Sequence, residues 1–253
     1  MGRKIFITGA TSGIGFACAE KFASSGDDVI ITGRRADRLE ALKKNLEDKY
    51  KVLVYTLNFD VRNKKEVFDA INNLPVEWTA IDVLINNAGL ALGRDYFDEA
   101  DMDDWETMIQ TNISGLLYVS RAIIPFMKPR KKGHIINIGS TAAKEVYEKG
   151  NVYCLTKSGV ESISKGMRID LLKHRIKVTA VHPGAAETEF SEVRFKGDKQ
   201  MAAKTYEGFK PLTPADIADT IFYTASLPDH VCINDLVITC LSQANSIYIH
   251  KEN

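Results

Sequence analysis

Short runs of Val, Ile and Leu alternate along this chain with longer stretches in which apolar residues recur every three or four positions. The short runs are residues 4–8, 28–32, 52–57, 83–86, 134–138, 177–181 and 236–239. Their apolar residues are consecutive rather than alternating, the signature of strands covered on both faces. Between them, residues 15–25 carry Phe16, Ala19, Phe22 and Ala23, residues 37–49 carry Leu39, Leu42 and Leu46, and residues 64–73 carry Val67, Ala70 and Ile71. Each set marks one face of a helix. Two longer helices are predicted over 103–127 and 152–173. A last helix opens at Thr213, a hydroxyl N-cap followed by Pro214 at the first helical position.

This alternation predicts an α/β fold: a doubly wound, parallel, seven-stranded sheet with right-handed crossovers and helices on both faces. No repeat, low-complexity tract or Pro/Ser-rich linker divides the chain, so one domain over 1–253 is expected. Residues 189–211 break the pattern. They are polar, weakly periodic and follow a strand end, where ligands bind in open α/β sheets, which makes them a candidate substrate lid.

Composition narrows the function. Thirty-three Lys and Arg balance 33 Asp and Glu, which argues against a nucleic-acid binder that works by phosphate neutralisation and against a polybasic membrane anchor. With 45% hydrophobic and 26% charged residues the chain is of ordinary globular composition. No apolar window is long enough to cross a membrane, and Met1-Gly2-Arg3-Lys4 leads into no signal-peptide core. Cys18, Cys154, Cys232 and Cys240 form no C-x-x-C pair, so no metal site or disulfide framework is expected, and a reducing cytoplasm is the expected location.

Chemistry concentrates at the strand ends. The first strand runs into Thr8-Gly9-Ala10-Thr11-Ser12-Gly13-Ile14-Gly15 and then a helix. Glycines permit a tight turn and close approach of a pyrophosphate to the helix N-terminus. The second strand ends in Gly33-Arg34-Arg35, where an enzyme that uses NAD would place a carboxylate for the ribose 2′-hydroxyl. A guanidinium instead grips a 2′-phosphate, so the cofactor read here is NADP(H), with Arg34 the main contact and Arg35 the second. At the third strand end, Asp60 and Val61 sit where Asp60 either meets the adenine edge or caps the next helix. Asn87-Ala88-Gly89 follows the fourth strand and suits close passage along a cofactor.

Tyr153 and Lys157 lie four apart on one helix face. A phenol with its ordinary pKa near ~10 is a poor acid or base at neutral pH, and an ammonium beside it is expected to lower that value. Tyr153 would then exchange a proton with a carbonyl/alcohol pair, while Ser140, at the end of the fifth strand, hydrogen-bonds the substrate oxygen. A substrate carboxylate would need a cation. Arg194 in the candidate lid is favoured, with Arg94 the rival.

Taken in order, Thr8 to Gly15, Asn86 to Gly89, Asn112, Ser140 and Tyr153-Cys154-Leu155-Thr156-Lys157 resemble the short-chain dehydrogenase/reductase family over nearly the whole chain. The resemblance implies a Rossmann-like domain, a nicotinamide cofactor without metal, and Asn112, Ser140, Tyr153 and Lys157 as the catalytic set. Lys157 would hold the nicotinamide ribose and tune Tyr153, and Asn112 would anchor a relay water. Pro183, Gly184 and Thr188 resemble the segment that contacts the nicotinamide carboxamide. Residues 87–93, 138–142, 189–191 and 193–198 look like the NADP-dependent 3-hydroxy acid dehydrogenases, a subgroup acting on serine, allo-threonine and malonic semialdehyde. Family members often form homotetramers through the long helices. A general carbonyl or 3-ketoacyl reductase would use the same residues without a carboxylate clamp, and a non-catalytic NADP(H) sensor would use the fold for binding alone.

Overall fold

In β1 (Lys4–Ile7) and β2 (Asp28–Gly33), Phe6 and Ile30 turn to one side of the sheet, and Ile5, Ile7, Val29 and Ile31 to the other. Two-sided burial is what the unbroken apolar runs anticipate. The computed structural model, which describes residues 2–252, continues with β3 (Val54–Asn58), β4 (Val83–Asn86), β5 (Gly133–Ile138), β6 (Ile176–Pro183) and β7 (Asp235–Ile238). All pair in parallel in the order β3-β2-β1-β4-β5-β6-β7. The chain winds outward from β1 to β3 and then returns to build the other half, so the order reverses between β1 and β4. That is the switch point beyond which such sheets bind ligands.

One face is covered by α1 (Gly13–Ser24), α2 (Ala36–Tyr50) and α9 (Pro214–Ala225), which contribute Phe22, Leu42, Leu46 and Ile221 to its core. The other face carries α3 (Lys64–Asn72), α5 (Leu116–Met127) and α6 (Asn151–Leu171), with Val67, Ile71, Val119, Ile123 and Leu171 inward. Thr213 caps α9 as expected and forms a full capping box with Asp216.

Two regions depart from the sequence reading. The helix expected over 103–127 is α4 (Met102–Ile109), a π turn over Gln110–Gly115, and α5. Periodicity does not reveal one extra residue per turn inside an otherwise amphipathic helix, and such bulges are often found at functional sites. Residues 189–211 are not irregular. They hold two six-residue helices, α7 (Glu189–Arg194) and α8 (Lys199–Lys204), capped by the side chains of Thr188 and Asp198. Six residues are too few for a visible apolar stripe, although both caps stand in the sequence.

Candidate active site

The carboxyl ends of the central strands open into one cavity of about 850 Å3. Its floor at β1 is the glycine-rich turn. Gly9 has φ +67°, a left-handed conformation open to glycine, and a Cβ on Gly15 would lie 2.3 Å from the Gly9 carbonyl oxygen. The turn therefore folds back tightly onto the start of α1. Ser12 is the N-cap of α1 but makes no side-chain cap bond, so the first amides of the helix stay available to an anion. Gly9, Thr11, Ser12, Gly13 and Ile14 line the cavity, while Gly15 serves packing behind it.

Asn87 and Thr8 hold this turn against β4. Asn87 Nδ2 donates to the carbonyls of Thr8 (2.8 Å) and Gly9 (3.1 Å), and Thr8 Oγ1 accepts from the amides of Asn87 (3.0 Å) and Ala88 (2.9 Å). Thr8 is a structural anchor that the sequence reading did not single out. Asn87, Ala88 and Gly89 line the cavity as expected.

At the β2 end, Arg34 and Arg35 both face the cavity. Arg34 is exposed, with only a loose approach to Asp60 at 3.9 Å. Arg35 is committed: Nη2 donates to Thr11 Oγ1 (2.8 Å) and Ser12 Oγ (2.9 Å), and Nη1 donates to Glu189 Oε2 (3.0 Å). Asp60 and Val61 line the same end. Asp60 is not a helix cap. Asn63 caps α3, accepting from the amides of Lys65 and Glu66, and Asp60 is gripped by Arg62 through Nε and Nη2, the latter at 2.7 Å. Burial acts to raise the Asp60 pKa, but the Arg62 bonds and the Arg34 charge outweigh it and hold the carboxyl below its usual range.

The chemistry sits at β5 and α6. Ser140, Tyr153 and Lys157 all line the cavity. Ser140 N-caps a short turn over Thr141–Ala143, and its Oγ accepts from the Ala142 amide at 3.1 Å, which fixes the hydroxyl. Tyr153 and Lys157 are buried, at 8% and 6% exposure. Lys157 Nζ donates to the Ile138 carbonyl at 3.0 Å and lies 5.9 Å from the Tyr153 ring centre.

This corrects the expected tuning. Burial raises the Tyr153 pKa well above the ordinary phenol value, Tyr147 adds to the rise, and Ser140 and Arg194 act against it, with Lys157 not among the influences. Lys157 itself is pushed down to about 8 by burial. For both groups the cost of removing a charge from water is the largest influence.

Asn112 lies in the π turn, behind the cavity wall. Its Oδ1 accepts from Leu90 N (2.8 Å), and its Nδ2 donates to Leu90 O (2.8 Å) and Thr156 Oγ1 (3.0 Å). Both amide protons are used, and the side chain clamps the loop after β4 to α6. Its neighbour Thr111 does face the cavity, with a buried hydroxyl that has no partner among the described residues.

Pro183, Gly184 and Thr188 line the far wall. Thr188 Oγ1 accepts from Phe190 N at 3.1 Å as the cap of α7, which leaves its hydroxyl proton to donate elsewhere. Glu187, inserted in this segment, is exposed and outside the cavity lining. Arg194 stands over the Tyr153 ring, 5.5 Å from its centre, with Nη1 donating to Tyr147 Oη at 3.0 Å. Arg94 also lines the cavity from an exposed loop.

Several contributors went unread in the sequence. Tyr147 positions Arg194, and Phe190 packs against Tyr153 with ring centres 5.7 Å apart. Gln243 Oε1 accepts from Ala185 N at 2.7 Å and braces the segment after Pro183. None lies in a glycine-rich turn or at helical spacing from a titratable partner, so no local pattern marks them. The residues present fit a nucleotide with several phosphates: uncapped helix amides, an exposed arginine beside the turn, and a cavity whose lining also includes Lys204 and Lys251.

A doubly wound parallel sheet with a glycine-rich turn at its switch point, and Ser, Tyr and Lys at one end of the same cavity, defines a dinucleotide-cleft α/β protein. Residues 3–199 match the family model described as short chain dehydrogenase, and the chain belongs to that family of oxidoreductases. It is 47% identical over 241 residues to an NADP-dependent 3-hydroxy acid dehydrogenase, YdfG, of Salmonella typhi, with 95% of this chain and 96% of the relative covered. It is 41% identical to an NADP-dependent 3-hydroxy acid dehydrogenase of Schizosaccharomyces pombe, with 99% and 97% covered. Among solved structures, a closed form of serine dehydrogenase complexed with NADP+ superposes with a TM-score of 0.92 at 44% identity, covering 98% of this chain and 100% of that one.

Proposed function

We propose that the protein transfers a hydride between NADP(H) and a small 3-hydroxy acid of the serine, allo-threonine or 3-hydroxypropionate type, or its oxo form. When bound, the nicotinamide takes the hydride from the carbinol carbon in oxidation and returns it in reduction. The glycine-rich turn and the α1 amides hold the pyrophosphate. Arg34, exposed and loosely paired, turns onto the 2′-phosphate, with Arg35 already placed beside Thr11 and Ser12. Pro183, Gly184 and Thr188 border the nicotinamide end, and Thr188 has a proton to donate.

Tyr153 accepts the hydroxyl proton in oxidation and donates it in reduction, and Ser140 holds the substrate oxygen with its preset hydroxyl. Lys157, with its depressed pKa, holds the nicotinamide ribose and passes the proton on. A raised phenol pKa suits a proton donor, and positive charge beside it would lower that value for the reverse direction.

The observation that carries the substrate class is Arg194. A guanidinium fixed over the catalytic phenol, steadied by Tyr147, stands where a carboxylate two carbons from the reacting carbinol would arrive. The test compares kcat/KM for 3-hydroxy acids with that for their methyl esters, in wild type and in Arg194→Ala. The free acid should be preferred by about 100-fold, as befits a charge-assisted bidentate contact, and Arg194→Ala should abolish the preference. Equal or better turnover of the esters would favour a general carbonyl or 3-ketoacyl reductase, and NADPH binding with no turnover at all would favour a sensor. A cytoplasmic location is proposed on the same footing; among the described residues no helix is long and apolar enough to cross a membrane.

A further inference from the structure

His182, on β6, has no exposed surface, and none of the roles above uses it. Its ring lies under the peptide that presents Ser140. Nδ1 is 3.1 Å from the Ser140 carbonyl oxygen and 3.4 Å from the Ser140 amide nitrogen. Nε2 is 2.8 Å from Asp235 Oδ1 on β7, a close ion-pair approach that lacks the angle of a hydrogen bond. The ring takes the space beside Gly139 so completely that a Cβ there would sit 2.3 Å from Nδ1. Glycine before the catalytic serine is therefore a consequence of the histidine beneath it.

The chain of contacts continues outward. Asp235 Oδ2 also accepts from Lys144 Nζ, Lys144 pairs with Glu161 of α6 at 3.1 Å, and Glu161 pairs with Lys165. From the ammonium to the serine backbone the line is Lys144, Asp235, His182, Ser140. It ties β5, β6, β7 and α6 together below the reacting hydroxyl, while the Ala142 amide fixes that hydroxyl from above.

We propose that His182, backed by Asp235 and Lys144, is a positioning residue that sets the Ser140 peptide, and with it the serine hydroxyl, for the reaction. The inference rests on the role given to Ser140 under the proposed function. In the neutral imidazole with Nε2–H toward the Asp235 carboxylate, Nδ1 accepts from the Ser140 amide. In the imidazolium, Nδ1–H donates to the Ser140 carbonyl instead. Protonation thus exchanges the amide for the carbonyl of the same residue as the partner of Nδ1 and shifts the backbone at Ser140. The charged groups facing the ring are Asp235 from β7, Lys144 from the turn after Ser140 and Glu161 from α6. Burial and Lys144 hold the imidazole below its usual pKa, against Asp235 and Glu161, so the neutral form prevails at pH 7.

The experiment measures kcat, KM and NADPH affinity against pH for His182→Phe, His182→Asn and Asp235→Asn, each also in a Ser140→Ala background. His182→Phe should lower kcat by about 10- to 100-fold with NADPH affinity unchanged, because a displaced catalytic group costs rate and not cofactor binding. His182→Asn, which keeps a partner for the Ser140 amide but cannot titrate, should recover most of kcat and lose the wild-type ionisation on the acid side. Asp235→Asn, at a half-exposed position that leaves the core intact, should move that ionisation to lower pH. In the Ser140→Ala background none of the three should reduce kcat further. Unchanged kcat in His182→Phe, full additivity with Ser140→Ala, or an acid limb that Asp235→Asn does not move would overturn the inference alone. No turnover by the wild type would overturn the reading of the site and the inference with it.

Discussion

Lys157 carries a positive charge into a site where almost no water reaches it. Its pKa of about 8, against an ordinary 10.5, is a stability statement. Below pH 8 both folded and unfolded chains hold the proton, and the native state bears the whole cost of burying it. Between pH 8 and 10.5 the native lysine loses its proton first, so the cost declines as pH rises. The shift corresponds to about 3 kcal/mol, from which the bond to the Ile138 carbonyl, worth about 1 kcal/mol, must be subtracted if the lysine is removed. Lys157→Met should therefore stabilise the cofactor-free protein by about 1–2 kcal/mol at pH 7, with the gain shrinking from pH 8 upward and gone by pH 10.5, while turnover disappears. Urea unfolding at the two pH values checks this, and destabilisation at pH 7 would contradict it. Spacing alone placed Tyr153 and Lys157 on one helix face and the strand-end serine nearby. It did not show that the ammonium would bond to the Ile138 carbonyl, because that depends on where β5 ends in space.

At the scale of elements, the segment from Thr188 to Leu212 is laced down on two sides of the cavity. Glu189, in the first turn of α7, pairs with Arg35 (3.0 Å) and Arg38 (2.7 Å), and at the other end Gly93 N donates to Arg194 O at 3.0 Å. We read the segment as the substrate lid, and the Glu189 pairs as the half of its fastening that lies on the cofactor side. The pairs are partly exposed, so each contributes about 0–1 kcal/mol. Glu189→Gln should raise KM for the hydroxy acid by about two- to fivefold and quicken proteolysis within residues 195–208. NADPH should bind equally or slightly tighter, since Arg35 and Arg38 are freed for phosphate. A KM and a cleavage rate equal to wild type would mean that the pairs do not fasten the lid. The lid's polarity and place after β6 were legible in sequence. Its helices were not, being shorter than any reliable periodicity, and the Glu189 partners lie more than 150 residues away. The π turn escaped for a related reason: Asn112 has its partners in the loop after β4 and in α6, not in its own helix.

The whole molecule leaves apolar residues of its long helices in water. Leu155, Ile169 and Leu172 on or just past α6 are 60%, 76% and 73% exposed, and Leu117 on α5 is 41% exposed. Both helices bury their other faces against the sheet, so this outer surface is a second apolar stripe and not a misplaced core. We propose that copies of the chain associate through it into a homotetramer, about four times the 28.2 kDa chain mass. Sedimentation velocity should show that species for wild type and a smaller one for Ile169→Glu combined with Leu172→Glu, whose secondary structure should be unchanged. Wild type sedimenting as a single chain would contradict the proposal. The parallel seven-stranded sheet follows from the strand–helix alternation and the handedness of crossovers, so this scale was the most legible of the three, although the strand order was read only from the structure.

The central claim is that Tyr153 moves the proton while other groups hold the cofactor. Its most direct test is Tyr153→Phe, with NADPH binding followed by fluorescence titration and single-turnover reduction of a 3-oxo acid followed by NADPH absorbance. The account predicts NADPH affinity within about twofold of wild type and a reduction rate lower by at least about 100-fold, the scale of a lost general acid. A variant that binds NADPH and reduces the substrate at the wild-type rate would contradict it.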